Sequence, residues 1–104
     1  MKESELQEKC NEILNELNIM YIHLEKGRSH KQTTHRKGIP DLLIFHNGNT
    51  FFVELKVGKG VLSKEQIAFR EKAEKNYYKF YVCYSVDEFL AILDFEGLAI
   101  LGVC

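Results

Sequence analysis

The stretch GIPDLLIFHNGNTFFVELKV, residues 38–57, decides the fold of this 104-residue chain. Two apolar runs, residues 41–45 and 51–57, flank the dipeptide Asn47-Gly48. Asn-Gly between β-type runs favours a type I′ turn, because both central residues of that turn need a positive φ. The sequence therefore predicts a β-hairpin with a two-residue turn.

The hairpin register brings ionisable side chains together. Counting outward from the pair His46 and Asn49 places Asp41 opposite Glu54. Directly opposed residues share one face of a sheet, with Cβ atoms roughly 4.5–5.5 Å apart. Lys56 lies two residues beyond Glu54, so it projects from the same face. We therefore expect two carboxylates and one ammonium to converge on one patch of the sheet.

Two interpretations of this patch are open from the residues alone. Like charges directly opposite each other destabilise a sheet, and a divalent cation would remove that conflict. Mg²⁺ is typically bound by one or two carboxylates, with waters and phosphate oxygens in its other positions. The alternative is an ion pair between Asp41 and Lys56 at the end of the sheet, with Glu54 solvated.

A basic segment precedes the patch. Between residues 26 and 40 the chain has no acidic residue but carries Lys26, Arg28, Lys31, Arg36 and Lys37. A local excess of positive charge is typical of a phosphate-binding surface. The alternative is a solvated loop. Its position directly before the carboxylate patch favours phosphate contact.

The other elements follow from periodicity and helix-start signals. Ser4 with Gln7, and Ser63 with Gln66, have the spacing of a capping box. The predicted order is a helix over 4–18, a strand over 19–24, the two hairpin strands, a helix over 63–76, a strand over 78–84 and a short helix over 85–93. This α-β-β-β-α-β order predicts an α/β fold, with a mixed sheet flanked by helices. The apolar tail, residues 97–104, is compatible with an edge strand or a subunit contact.

Length and composition exclude several classes of protein. The chain is expected to form one domain over residues 1–104. It has no apolar stretch of about 18 residues for a membrane helix, and its acidic start does not resemble a signal peptide. Cys10, Cys83 and Cys104 have no CxxC spacing and fit reduced thiols in a cytosolic protein, with the first two in the core. The histidines have no metal-ligand spacing, and there is no Gly-rich phosphate loop.

The motifs around the hairpin resemble a nuclease signature. GIPD at 38–41, a gap of twelve residues, and VELK at 53–56 resemble the PD-(D/E)xK signature. The small size and LSxxQ at 62–66 narrow the resemblance to the VRR-NUC (virus-type replication-repair nuclease) branch, similar in architecture to archaeal Holliday-junction resolvases. The resemblance runs from about residue 3 to about residue 93 and implies a restriction-endonuclease-like core.

The resemblance also implies roles for individual residues. Asp41 and Glu54 would bind Mg²⁺ through their carboxylates, with Mn²⁺ able to substitute, and the Leu55 carbonyl would be a neighbouring ligand. Lys56 would position the attacking water and offset charge on the phosphate. Glu3 is the candidate for a further metal ligand.

The roles of Glu3 and Gln66 each have an alternative. If Ser4 caps the first helix, Glu3 lies just outside it, and Glu5 and Glu8 are then the fallbacks. Gln66 either orients a phosphate or water, as the resemblance implies, or serves as the capping partner of Ser63. We expect that one side chain can hardly fill both roles at once. The residues expected to bind DNA are Arg28, Lys31, Arg36, Lys37 and Lys59.

The function implied is a Mg²⁺-dependent DNA endonuclease that hydrolyses phosphodiester bonds in branched DNA, such as Holliday junctions or flaps. The resemblance also implies a homodimer, and a symmetric junction suits a two-fold dimer. The location expected is the cytoplasm of a bacterial or phage-infected cell, with no membrane partner. The alternatives are a DNA-binding module that does not cut, and a nuclease acting on linear duplex.

Overall fold

The structure, a computed structural model, describes residues 1–24 and 38–98. Its elements are α1 (Glu3–Glu16), β1 (Met20–His23), β2 (Leu42–His46), β3 (Asn49–Leu55), α2 (Lys64–Lys75), β4 (Lys79–Cys83) and α3 (Val86–Phe95). The α-β-β-β-α-β-α order confirms the predicted α/β class.

The hairpin has the predicted register. β2 and β3 pair antiparallel from His46 with Asn49 at the turn to Leu42 with Val53. Asn47 has φ 45° and Gly48 has φ 82°, as a type I′ turn requires. Both strands reach the turn, at His46 and Asn49, whereas the predicted apolar runs stop short of it. A two-residue turn allows the residues on either side of it to pair.

The sheet is mixed, as predicted. Its strand order is β1-β2-β3-β4, with β1 and β2 antiparallel, β2 and β3 antiparallel, and β3 and β4 parallel. Parallel neighbours cannot be joined by a tight turn, and α2 provides the crossover between them. The carboxyl ends of β3 and β4 therefore lie at one edge of the sheet, beside the start of α2.

The core lies between one face of the sheet and the helices α1 and α3. Its fully buried members include Leu6 and Leu14 of α1, Phe51 of β3 and Phe89 of α3. Cys10 and Cys83 are free buried thiols, which confirms the prediction of core packing for both. Burial raises the pKa of Cys10 to about 12 and that of Cys83 to about 11. Cys104 lies outside the described residues.

The other face of the sheet is covered by α2. Phe69 of α2 packs edge-on against Phe52 of β3, with ring centroids 5.1 Å apart, and also contacts Phe80 of β4. Met20 and Ile22 of β1 are 67% and 45% exposed. Within the described ranges, α2 covers β3 and β4 on this face but not β1.

The start of α1 differs from the prediction. Lys2 rather than Ser4 is the N-cap, and its backbone N–H donates to Glu5 Oε1 at 2.7 Å. Gln7, the expected capping partner, instead donates to Asn11 Oδ1 at 3.0 Å. The capping box at Ser4 is therefore wrong, because the glutamate three residues after Lys2 satisfies the first free N–H. Glu3 consequently lies inside the first helical turn.

The C-terminal helix ends later than predicted. Gly97, with φ 88°, follows the C-cap Glu96, and Leu98 N–H donates to the Leu93 carbonyl at 2.9 Å. These are features of a Schellman ending, which returns an apolar side chain to the helix. Leu98 accordingly packs in the core. The rest of the predicted tail, residues 99–104, lies outside the described residues.

Membrane spanning is a separate question. Over residues 1–24 and 38–98, the helices are too short or too polar to cross a bilayer.

Candidate active site

Three carboxylates from three elements meet at one edge of the sheet. Glu3 comes from the first turn of α1, Asp41 directly precedes β2, and Glu54 lies near the end of β3. One ligand oxygen from each lies within 4.8 Å of the others. The structure thus brings Glu3 to the two carboxylates of the hairpin. Glu5 is engaged at the helix cap, and Glu8 is exposed and outside this cluster.

Asp41 is fixed by both its main chain and its side chain. Its carbonyl accepts a hydrogen bond from Leu24 N–H at 2.9 Å, which ties it to the end of β1. Its Oδ2 accepts a second bond from Leu55 N–H at 2.7 Å. Asp41 is buried, so these contacts hold the carboxylate in a site that excludes most solvent. A charge-assisted bond to a backbone N–H is among the stronger hydrogen bonds.

Glu54 is more deeply buried, with only 1% of its surface exposed. Its Oε2 accepts a hydrogen bond from Gln66 Nε2 at 2.9 Å. Lys56 Nζ lies 3.8 Å from the same oxygen. The alternative in which Glu54 is merely solvated is therefore wrong, because strand β3 and helix α2 enclose it.

Gln66 is the capping partner of Ser63, one of its two predicted roles, and its side chain also contacts Glu54. Its Oε1 accepts a bond from Ser63 N–H at 2.7 Å, while Ser63 Oγ accepts from Gln66 N–H at 3.1 Å. The amide nitrogen of the same side chain is the group that holds Glu54. An amide has an acceptor end and a donor end, so Gln66 can cap α2 and contact Glu54 at the same time. Its role towards a phosphate or water stays a prediction.

Lys56 projects from the same face as Glu54, as the alternation of β3 requires. Its backbone N–H donates to the Cys83 carbonyl at 2.9 Å, which continues the pairing of β3 with β4. Its side chain is only 16% exposed. An ammonium held beside carboxylates is a point charge that can offset negative charge on a phosphate oxygen.

A close contact of Gly38 places α2 beside the site, and the sequence did not indicate this contact. Gly38 has φ 85°, and a Cβ built on it would lie 2.3 Å from the Glu65 carbonyl oxygen. The chain leading to Asp41 therefore presses against the first turn of α2, which carries Gln66. In the sequence, a glycine before Ile-Pro indicates only a turn, so this close approach had no recognisable signal.

The residues predicted to contact DNA fall into two groups. Arg28, Lys31, Arg36 and Lys37 lie outside the described residues. Lys59 is described, and it is exposed in the turn after β3. Leu24 and Gly38, the described residues on either side of residues 25–37, both lie at the site, one bonded to Asp41 and the other against α2.

The arrangement has the chemistry of a site for a hard divalent cation. Carboxylate oxygens are the ligands that Mg²⁺ and Mn²⁺ prefer. Bringing three of them within 4.8 Å is electrostatically unfavourable without positive charge nearby. The residues present therefore fit a bound divalent metal, with an ammonium beside it.

Comparison with known proteins agrees with this arrangement. The family model of the VRR-NUC domain matches residues 1–87. A solved structure described as a VRR_NUC domain superposes with a TM-score of 0.69 at 24% identity, covering 88% of this chain and 94% of that chain. No curated protein matches this chain. Because the family match spans α1 through β4, including all three carboxylates, Lys56 and Gln66, the chain belongs to the VRR-NUC domain family of nucleases.

Proposed function

We propose that this protein is a metal-dependent DNA endonuclease that uses Mg²⁺, with Mn²⁺ able to substitute. The observation that carries the proposal is the convergence of Glu3, Asp41 and Glu54 within 4.8 Å, with Lys56 Nζ 3.8 Å from Glu54. Family membership supports a nuclease, and the carboxylates and the lysine supply the chemistry that phosphodiester hydrolysis needs.

The side chains divide the work. Glu3, Asp41 and Glu54 would hold the metal together with the Leu55 carbonyl. When bound, the metal supplies Lewis acidity at a phosphoryl oxygen and lowers the pKa of water. Lys56 positions the attacking water and offsets negative charge on the phosphate. Gln66 fixes the orientation of the Glu54 carboxylate and so acts through that carboxylate.

The basic segment supplies the surface for the DNA backbone. Its proposed contacts are Arg28, Lys31, Arg36 and Lys37, and Lys59 is proposed as a further contact. Leu24 and Gly38, the described residues on either side of residues 25–37, both lie at the site, which supports this assignment. Lys31→Ala and Lys37→Ala should each weaken binding to all sequences and reduce the salt slope by about 1. Lys75→Ala, at the far end of α2, is the control.

The preferred substrate we propose is branched DNA, such as a Holliday junction or a flap, cut by a homodimer of single domains spanning residues 1–104. Two-fold symmetry of a dimer suits the symmetry of a four-way junction. The proposed location is the cytoplasm of a bacterial or phage-infected cell. The second candidate function within the same chemistry is cleavage of linear duplex.

A cleavage assay tests the enzyme. Purified protein is offered nicked, flapped, four-way and linear DNA with Mg²⁺ or Mn²⁺. The variants Glu54→Gln and Lys56→Ala should cut at least about a hundredfold more slowly, at rates still measurable in single turnover, while retaining DNA binding. Glu3→Gln is paired with Glu8→Gln, an exposed glutamate of the same helix outside the cluster, and only the first should slow cleavage.

The outcomes of this assay distinguish the candidate functions and test Glu3 as a metal ligand. Wild type that binds every DNA but cuts none would establish a binding module that has lost catalysis. Equal cutting of all four substrates would remove the preference for branched DNA and leave the nuclease. Equal effects of Glu3→Gln and Glu8→Gln would remove Glu3 from the metal ligands.

A further inference from the structure

We propose that Tyr84 is a positioning residue for Lys56 and that it acts through the turn at Gly60. This inference rests on the proposed function, since it concerns the lysine that the proposed reaction uses. Tyr84 directly follows β4, outside every motif of the sequence, and the preceding Cys83 pairs with Leu55 at the end of β3.

The backbone of Lys56 alone does not fix its ammonium. The Lys56 N–H bond to the Cys83 carbonyl sets the start of the side chain. Four flexible methylene groups separate that point from Nζ, and ordering them costs rotamer entropy. A lysine that acts on a substrate from a defined position therefore needs packing along its stem.

Gly60 provides that packing. A Cβ built on Gly60 would lie 3.5 Å from Lys56 Cδ and 3.7 Å from Lys56 Cβ, so the glycine backbone lies against the aliphatic stem. Gly60 N–H donates to the Val57 carbonyl at 3.0 Å, which turns the chain back over the lysine. The 16% exposure of the Lys56 side chain agrees with this cover.

Tyr84 joins this turn to the sheet. Its hydroxyl donates to the Gly60 carbonyl at 2.8 Å, a contact between residues 24 positions apart. The Tyr84 main chain is itself held, because its N–H donates to Glu88 Oε1 at 2.6 Å. The phenol therefore links the end of β4 and the start of α3 to the turn that packs on Lys56.

Tyr84→Phe tests the link, since it removes the hydroxyl and keeps the ring. The single-turnover cleavage rate should fall by up to about tenfold, the largest effect expected from loss of one neutral hydrogen bond. DNA affinity measured without metal, and the thermal midpoint, should be unchanged. Tyr77→Phe is the control, because Tyr77 is 95% exposed beyond the end of α2.

A double-mutant cycle shows whether the hydroxyl acts through the lysine. In the Lys56→Ala background, Tyr84→Phe should have no further effect on the cleavage rate. The same loss in both backgrounds would overturn the proposal, as it would show an effect independent of Lys56. A loss of DNA affinity that accounts for the slower rate would overturn it too.

A measurement without metal or DNA separates this inference from the proposed function. The ¹³C relaxation of the Lys56 ε-methylene should show more motion in Tyr84→Phe than in wild type or Tyr77→Phe. Unchanged relaxation would overturn the proposal whatever the cleavage rates are. Increased motion in a protein whose wild type cuts no DNA would uphold the link and reject the nuclease.

Discussion

The two ends of strand β3 each lie beside a buried glutamate and a lysine, yet the arrangements differ. At the hairpin end, Lys79 Nζ lies 3.1 Å from Glu96 Oε2, and the Tyr81 hydroxyl donates to the same carboxylate. At the other end, Lys56 Nζ is 3.8 Å from Glu54, and two further carboxylates converge on that glutamate. Both glutamate side chains are almost completely buried.

This difference separates a structural pair from a site for a ligand. The Glu96 group joins one carboxylate to one ammonium and one phenol, so it balances its charge within the fold. The Glu54 group gathers like charges, which folding alone does not favour. A protein that keeps such a cluster sacrifices stability there, and cation binding is the physical reason that fits it.

The largest effects are expected from replacing each glutamate by glutamine, since one replacement should lower cleavage and the other should lower stability. Glu54→Gln should lower cleavage at least about a hundredfold, since loss of even an outer partner of a metal ligand costs ten- to a hundredfold. Its unfolding free energy without metal should change by less than about 1 kcal/mol, because the lost lysine contact is offset by weaker repulsion. Glu96→Gln should do the reverse, keeping cleavage and losing about 1–3 kcal/mol.

Cleavage assays and urea denaturation of both variants check this exchange. A large loss of stability in Glu54→Gln with no loss in Glu96→Gln would contradict it. In that case Glu54 would be the structural residue, and the contrast between the two ends of β3 would disappear.

The second test compares two glycines with similar backbones, one at each end of the hairpin. Gly38 and Gly48 have φ 85° and 82°, so alanine is strained at both, by about 1–2 kcal/mol. A Cβ at Gly48 meets nothing within 4 Å, whereas one at Gly38 collides with the Glu65 carbonyl. Gly38→Ala should therefore cost about 2 kcal/mol more than Gly48→Ala. It should also slow cleavage, because the first turn of α2 must shift.

Urea denaturation of the two alanine variants measures the difference. Equal losses of stability would show that the chain before Asp41 relaxes freely away from α2. Full cleavage by Gly38→Ala would separate the placement of α2 from the chemistry at Glu54.

The sequence predicts the hairpin well because its information is local. The Asn47-Gly48 turn sets the register, and the register places Asp41 beside Glu54 without reference to the rest of the chain. The periodicity of the first helix is local too: Cys10 is predicted to lie in the core, and α1 buries it on one face with Leu6 and Leu14. In each case, contacts between near neighbours determine the outcome.

Contacts between distant elements were harder to predict. Where Glu3 lies depends on how α1 packs against the sheet, and the wrong cap at Ser4 placed it outside the helix. Gln66 caps its own helix and reaches across to Glu54, and the capping spacing shows only the first of these contacts. Spacing along one element carries no information about a partner twelve residues away. The site was therefore predicted through resemblance more than through residue patterns.

A third test separates the two contacts of Gln66. Gln66→Glu keeps an oxygen to accept from Ser63 N–H, so the capping box can persist. It replaces the amide donor with a carboxylate that repels Glu54. Cleavage should fall about tenfold or more, because Glu54 loses its orientation. The helix content, measured by circular dichroism, should stay unchanged, and unimpaired cleavage would show that the Gln66 amide does not orient Glu54.

The smallest expected effect is on the pH dependence of stability, and it concerns the Glu96 group. Burial, followed by the hydrogen bond to Glu96 and its charge, raises the pKa of Tyr81 above the ordinary 10.0. The unfolded chain therefore releases this proton at a lower pH than the folded protein. The stability that Tyr81 contributes is complete below pH 10 and declines as the pH rises further, by at most about 1.4 kcal/mol per pH unit. Tyr81→Phe should remove this part of the decline, so the urea midpoint of wild type should fall more steeply between pH 10 and 11. Parallel curves for wild type and Tyr81→Phe would show that the phenol ionises equally easily in the folded and unfolded states. The Glu96 group would then not be the charge-balanced group that contrasts with the cluster at Glu54.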